Sequence, residues 1–277
     1  MSLFLVATPI GNLEDISLRA LRILREADII ACEDTRTSAI LLNKYNIKKK
    51  LISFHVHNEN EKIPELINLL QADKNIAVIS DAGTPGISDP GWILLKRAQD
   101  LGIYCDVIPG ANAIIPAILL SGINPGRFIF LGFPPEKSSA RKKLLSSVKN
   151  LPFALCFYIS PHKIIKDLAD ILEILGDRKC SLVREITKIH QEIISMSIKN
   201  LLDKISAENI RGELVLIISG TDENSCDDSW QNEAGKLFND GASVKTIMNL
   251  LAAKYDLKNS AVKNYLNSLK SNDSEKF

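Results

Sequence analysis

Histidine is scarce and cysteine never occurs as a C-x-x-C pair: four histidines and five cysteines are scattered through 277 residues. No group of His, Cys and carboxylates stands at ligand spacing, so no metal is expected. Four cysteines, Cys32, Cys105, Cys156 and Cys180, fall in apolar runs that read as buried strands, and the fifth is Cys226; all are expected to be reduced thiols. No apolar run approaches the roughly 20 residues of a membrane-spanning helix. Residues 3–7 (LFLVA) have no basic stretch before them and pass at once into TPIGN, so they read as a strand rather than a leader, and a cytoplasmic protein is expected. A surplus of charge is missing too. Thirty-four Lys and Arg against 33 Asp and Glu leave a net charge of +1, so the whole-protein field does not attract nucleic acid. RNA binding would have to come from local patches: Lys48, Lys49 and Lys50, then Arg141, Lys142 and Lys143, then the lysines of the last fifty residues. Neither G-x-G-x-x-G nor G-x-x-x-x-G-K-[ST] occurs, which removes the usual dinucleotide and P-loop sites.

What is present is an α/β pattern. In the first 120 residues short β-branched runs at 3–7, 28–32, 51–54, 76–80 and 104–108 alternate with amphipathic segments, the signature of a largely parallel sheet. Leu18, Leu21 and Leu24 recur at helical spacing behind Asp15 and Ser17, either of which could cap the helix. Further helices fit 37–44, 62–71, 91–101 and 112–121. The segment INPGRFIFLGFPP (123–135) marks a domain boundary. A second α/β unit follows, with strands at 128–131, 153–159, 180–186 and 213–219 and helices at 138–149, 161–175 and 199–206. The polar run 222–233 reads as a linker, and 243–255 with 259–270 as two short helices of helix-turn-helix type. The expected division is 1–122, 123–221 and 222–277.

Chemistry concentrates where strands end. In VISDAGTPGISDPG (78–91) a strand runs into a loop with three glycines and two prolines, and Gly83 and Gly86 are expected at positive φ. ATPIGN (7–12) and IPGANA (108–113) follow two other strands. In a parallel sheet such ends emerge on one edge and can line one crevice. ACEDTRT (31–37) and HVHNEN (55–60) add Glu33, Asp34, Arg36, His55, His57 and Glu59 at the same edge, where acids and bases are commonly placed. At the margins of the later strands, Arg184 with Glu185 and Arg211 with Glu213 read as ion pairs that only order the sheet edges; the plain alternative for the clusters at 31–37 and 55–60 is solvated turn chemistry.

Taken in order, TPIGNLED, EDTR, HNE, SDAGTPGISDPG, PG-x-x-A, GFPP, YISPHK, REITK and RGELVLI resemble the ribosomal small-subunit methyltransferase I family over about residues 3–220, and the helical tail is similar to that family's C-terminal extension. The resemblance implies two α/β domains of the tetrapyrrole-methylase type with S-adenosyl-L-methionine (SAM) in the cleft between them, plus a C-terminal helical extension. It also implies a homodimer that methylates a cytidine 2'-hydroxyl in 16S rRNA of the small ribosomal subunit. The cofactor-proximal positions it implies are Pro9, Asp81, Ala82, Gly83, Thr84, Ile87, Asn112 and Ala113, then Tyr158, Arg184 and Ile217. The chain departs from the family at Ile159, where glutamate is frequent, and at Lys163, where arginine is. Transfer of a methyl from sulfonium to oxygen needs alignment and loss of a proton, and Glu33, Asp34, His57 and Asp81 are the candidate bases. The competing expectations are a methyltransferase acting on a tetrapyrrole or other small metabolite, and a non-catalytic RNA-binding protein.

Overall fold

A computed structural model describes residues 1–208, 210–221, 229–255, 259, 262–263 and 265–267. The chain divides into two compact units, Met1–Gly220 and Thr221–Phe277.

The first unit opens with β1 (Ser2–Val6), α1 (Leu18–Glu26), β2 (Ile29–Cys32), α2 (Thr35–Lys44), β3 (Lys50–Ser53), α3 (Glu59–Gln71), β4 (Asn75–Ile79), α4 (Trp92–Asp100), β5 (Tyr104–Ile108) and α5 (Ile114–Leu120). The strands form an all-parallel sheet in the order β3-β2-β4-β1-β5. Parallel strands joined by helices are covered on both faces, hence their near-continuous apolar text. Leu3, Leu5, Ile76 and Val78 bury under Leu66 and Leu70 of α3 and Leu94 of α4, while Val6, Ile30, Ala77 and Ile79 bury under Leu21 and Leu24 of α1. Ser17, not Asp15, caps α1: its side-chain oxygen accepts the Ala20 N–H at 3.0 Å. Leu18 lies 86% exposed, and Ala20 and Ile23 take the core positions beside Leu21 and Leu24.

The chain continues through β6 (Phe128–Phe130), α6 (Ser138–Val148), β7 (Ala154–Ile159), α7 (Ile164–Leu175), β8 (Lys179–Arg184), β9 (Glu192–Ser197), α8 (Ile198–Ala207) and β10 (Leu214–Ile218). The second sheet runs β6-β7-β10-β8-β9, with β6 parallel to β7 and the other pairs antiparallel. One face packs on α6, α7 and α8 through Leu155, Phe157, Leu182 and Leu216. On the other, Cys156, Val183, Val215 and Ile217 pack against Ile10 and against Ile114, Ala117 and Ile118 on α5. This second core joins the sheets. β9 has no counterpart in the sequence reading. It is an edge strand with the burial pattern of a solvated border, so EIISMS carries no sustained apolar run.

The basic segment 141–143 is also corrected. Arg141 is buried: its Nε donates to Asp170 Oδ2 at 2.8 Å, its guanidinium pairs with Asp167 at 3.2 Å, and it donates to the Pro135 carbonyl at 2.8 Å. Lys142 pairs with Glu173. Two of the three cations are therefore internally matched, and Arg141 anchors the turn after β6.

In the second unit, α9 (Ser229–Asn239) and α10 (Val244–Tyr255) enclose a small core that includes Trp230, Ala234, Ile247 and Leu251. Residues 229–233, expected as linker, are the start of α9; 222–228 and half of 259–270 lie outside the described residues. Among the described residues no helix is long and apolar enough to cross a membrane.

Candidate active site

The C-terminal ends of β1, β2, β4 and β5 share one edge of the parallel sheet, and connections leave it in both directions, a geometry that opens a crevice for ligands. The loops there are tied together. Thr8 N–H donates to the Gly83 carbonyl at 2.8 Å, Gly83 N–H returns a bond to the Thr8 carbonyl at 3.0 Å, and the Thr8 hydroxyl donates to the Ser80 carbonyl at 3.1 Å. Gly83 and Gly86 adopt φ of +80° and +85°, as their loop composition predicts. A Cβ at Gly110 would stand 2.9 Å from the Ala7 Cβ, so glycine is what lets the loop after β5 close on β1.

Between this edge and strands β6, β7 and β10 lies a cleft of about 740 Å³, within the range of small-molecule sites. Of the expected residues it brings together Glu33, the stretch Asp81–Thr84, Ile87, Asn112, Ala113 and Tyr158. Glu33 accepts the Asp81 N–H at 3.4 Å, and Asp81 accepts the Asp34 N–H at 3.1 Å. Burial pushes the Asp81 carboxyl above its ordinary value.

The remaining expected residues are placed elsewhere. The Asp34 carboxylate turns to the N-terminus of α2, where it accepts the Arg36 N–H at 2.8 Å and pairs with the Arg36 guanidinium; those hydrogen bonds hold it at about 2, too acidic for a proton acceptor near neutrality. His57 is exposed beside His55, their ring centroids 6.0 Å apart, and does not line the cleft. Pro9, Arg184 and Ile217 are not among the lining residues either. Pro9 is buried behind the Thr8–Gly83 bridge. Arg184 donates to the Arg211 carbonyl at 2.7 Å and pairs with Glu192, and Ile217 is fully buried in β10 between Cys156 and Ser181. The expected Arg184–Glu185 and Arg211–Glu213 pairs are replaced: Glu185 accepts the Glu213 N–H at 2.8 Å and pairs with Lys188 at 3.1 Å. At the two family departures, Ile159 belongs to the core under α7 and Lys163 pairs with Glu136.

Several cleft residues were not singled out from the sequence. Asp89 and Ser88 lie in the long loop motif, whose text does not reveal which side chain turns inward. Phe133 comes from GFPP, where composition suggests only a turn. Phe130, Phe133 and Tyr158 form an aromatic cluster on the far wall, with the two Phe centroids 4.8 and 5.4 Å from that of Tyr158. Burial raises the Tyr158 hydroxyl, and the neighbouring Asp89 and Glu213 add to the shift. Among the described residues no group of three or more His, Cys, Asp or Glu is placed to hold a metal ion. The cleft thus offers backbone groups at a glycine turn, an aromatic and aliphatic wall, and a carboxylate rim suited to a ligand carrying positive charge.

The sequence pattern of the Tetrapyrrole (Corrin/Porphyrin) Methylases matches residues 2–202. The fold is shared with two solved structures at low identity. A cobalt precorrin-4 methyltransferase superposes with a TM-score of 0.61 at 15% identity, covering 79% of this chain and 94% of the other. A diphthine synthase does so with 0.63 at 14%, covering 79% and 90%. The fold and the matched sequence pattern are those of the tetrapyrrole-methylase class. Proteins named ribosomal RNA small subunit methyltransferase I are much more similar in sequence. That of Pseudomonas aeruginosa is 41% identical over 94% of this chain and 90% of its own, and that of Haemophilus influenzae 42% over 94% of each. That of Thermotoga maritima is 44% identical over 79% of this chain and 98% of its own. The chain belongs to the tetrapyrrole methylase family and, within it, to the ribosomal RNA small subunit methyltransferase I family.

Proposed function

We propose that this chain transfers a methyl group from SAM to the 2'-hydroxyl of a cytidine in 16S rRNA of the small ribosomal subunit, acting in the cytoplasm as a homodimer. The observation that carries this reading is the cleft together with its long, specific loop motif in a chain 41–44% identical to proteins of that name. The residues present fit SAM. The turn at Ala82–Thr84 presents backbone groups, Ile87 and Ala113 supply aliphatic contacts and Tyr158 a flat ring, and Glu33 and Asp81 complement a positive charge. Bound there, SAM supplies an activated methyl on a positively charged sulfur.

The chain's own residues do the rest by holding the reactants. Orientation alone can lower such a barrier by roughly 7–11 kcal/mol when reacting atoms are held in line. The bridged loops at Thr8 and Gly83 are built for rigidity, and the apolar wall excludes water. The exposed ring of Phe133 at the cleft offers a stacking surface for an unpaired base. The second unit is assigned a docking role towards ribosomal RNA.

The test is transfer of labelled methyl from SAM to undermodified small subunits, followed by nuclease digestion and mass mapping. Labelled 2'-O-methylcytidine is the expected product. Donor binding without RNA labelling would shift the reading to a small acceptor such as a tetrapyrrole, and no donor binding would leave a non-catalytic RNA-binding protein.

A further inference from the structure

Of the three basic stretches that could attract nucleic acid, two are accounted for. Arg141 and Lys142 are matched by Asp167, Asp170 and Glu173. Residues 221–277 carry seven Lys against nine Asp and Glu, so attraction to phosphate is not what that unit adds. The third stretch differs. Residues 35–58 contain Arg36, Lys44, Lys48, Lys49 and Lys50 and no Asp or Glu, where the chain's average would place about three carboxylates. Folding gathers these cations on one surface. α2 buries Ser38, Leu41 and Leu42, which leaves Arg36, Ile40 and Lys44 exposed at i, i+4 and i+8 on one face. That face runs about 12 Å from the cleft rim, where Asp81 accepts the Asp34 N–H, towards the turn that carries Lys48 and Lys49 into Lys50, the first residue of the edge strand β3. Lys44, Lys48, Lys49 and Lys50 form no ion pair among the described residues, and the carboxylates at the neighbouring strand starts, Asp28 and Asp73, hold Lys74 and the amino terminus. Arg36 gives Nε and Nη2 to Asp34 and leaves Nη1 without a partner among the described residues; its side chain is 90% exposed.

We propose that this face is the track along which ribosomal RNA leaves the cleft, with backbone phosphates on Lys44, Lys48 and Lys50 and with Arg36 holding the phosphate nearest the rim. The assignment rests on the reading of the cleft as an RNA methylation site and adds to it where the substrate runs. Each phosphate neutralised by a lysine releases condensed counterions, and that release supplies affinity without regard to sequence. A lysine ammonium on its flexible stem follows the backbone as a point charge. The Arg36 guanidinium, held in plane by Asp34, is oriented in advance for a phosphate at a fixed distance from the reacting ribose. Ile40, 65% exposed between the two cations of α2, offers an apolar surface to a ribose or base. Lys49 is half-buried beside Asp28 and is left out of the track. Lysines on an edge strand also guard it against pairing with other chains, but that role by itself gives RNA affinity no dependence on these residues.

The test measures binding of the full-length protein, with SAM present, to undermodified small subunits over about 50–250 mM KCl. The wild type is compared with a track triple, Lys44→Gln, Lys48→Gln and Lys50→Gln, and with the same three positions changed to arginine. A control triple, Lys166→Gln, Lys179→Gln and Lys199→Gln, removes equal charge from exposed positions on α7, β8 and α8. The track triple should bind about 10- to 100-fold more weakly at about 100 mM KCl, and the slope of log Kd against log salt should fall by about 2–3. Its SAM affinity in calorimetry should be unchanged, the arginine triple should keep the wild-type slope, and so should the control. A folded track triple with wild-type affinity and slope overturns the proposal. An equal loss in the control triple also overturns it, since net charge alone would then explain the effect. So does weaker binding accompanied by altered sedimentation of the free protein, which would make the face an interface between copies of the chain. A wild type that binds small subunits but labels no RNA overturns the methylation reading of the cleft instead. Should the track triple not fold, Lys44→Gln with Lys48→Gln, which leaves β3 untouched, is read the same way, with a fall in slope of about 1–2 expected and an unchanged slope refuting the track.

Discussion

Replacing Arg141 by methionine keeps the length of the side chain and removes its charge from a site where two carboxylates depend on it. The Asp167 and Asp170 side chains are only 4% and 12% exposed. Burial pushes both upward; at Asp170 hydrogen bonds from Ser138 and Arg141 outweigh it and hold the carboxyl below its ordinary value, while at Asp167 burial wins. Two guanidinium N–H groups reach the Asp170 carboxylate. Removing one member of a buried ion network leaves uncompensated charge and costs about 3–5 kcal/mol. With a urea slope of about 2–3 kcal/mol/M, the midpoint of the first unit should fall by about 1–2.5 M. The dependence on pH has a definite sign. In the wild type, the depressed Asp170 contributes stability that is present above its unfolded value of about 3.9 and is lost as pH falls through the folded value. In Arg141→Met both carboxyls are buried without their guanidinium and shift upward, so the deficit is largest at neutral pH and narrows on acidification. Urea unfolding by circular dichroism at pH 7.5 and pH 4.5 measures both effects. Changing the trio together, Arg141→Met with Asp167→Leu and Asp170→Leu, should recover most of the loss. An Arg141→Met midpoint within 0.3 M of wild type by this measurement, about 1 kcal/mol, would refute the reasoning.

Behind the Asp89 loop the Gly91 N–H donates to the buried Glu59 carboxylate at 2.9 Å. Glu59→Ala strands that N–H and should cost about 1–3 kcal/mol, whereas Glu59→Gln, whose amide oxygen can still accept that bond, should cost less than half as much; urea midpoints of the two decide. Gly212 has φ of +98°, and a Cβ there would meet the Glu185 carboxylate at 2.6 Å. Gly212→Ala should therefore lose about 1–3 kcal/mol by the same assay. Phe133→Ala, at a ring 56% exposed, should leave the melting temperature within about 1 °C. If the ring stacks a base worth about 1–3 kcal/mol, KM for the ribosomal substrate rises by about 5- to 150-fold. Removal of residues 222–277 should leave donor affinity unchanged in calorimetry, since every cleft-lining residue lies between Ile10 and Val215, and should reduce methyl transfer to the ribosomal substrate.

The sequence reading located the sheets because their strands are short β-branched runs punctuated by glycine and proline, and nine of the ten observed strands fall within a residue or two of the expected runs. Strand direction was not legible: VREI and LVLI look alike whether they pair parallel or antiparallel, and only the observed register shows that the second sheet is mixed. Arg141 was misread because RKK has the look of a solvated surface and its partners lie some 29 residues onward in the chain. For the cleft, glycine-rich strand ends point to the right edge of the sheet. Which carboxylate faces inward is set by the left-handed backbone at Ser88 and by capping at Asp34. Both are three-dimensional facts carried by residues that also occur in ordinary turns.

The position of β10 bears on how the protein matures. Residues 214–218 form the centre of the second sheet, with β7 and β8 on either side, although among the described residues they are the last strand to leave the ribosome. The first sheet is complete once β5 has emerged, so the nascent chain passes through a stage in which half of the fold is finished and the apolar side of α5 has no cover. Leu214 and Val215 also line the cleft. Nascent chains shorter than about 218 residues should therefore be the most exposed to aggregation and to chaperones, and competence to bind ligand should arrive abruptly with the final strand.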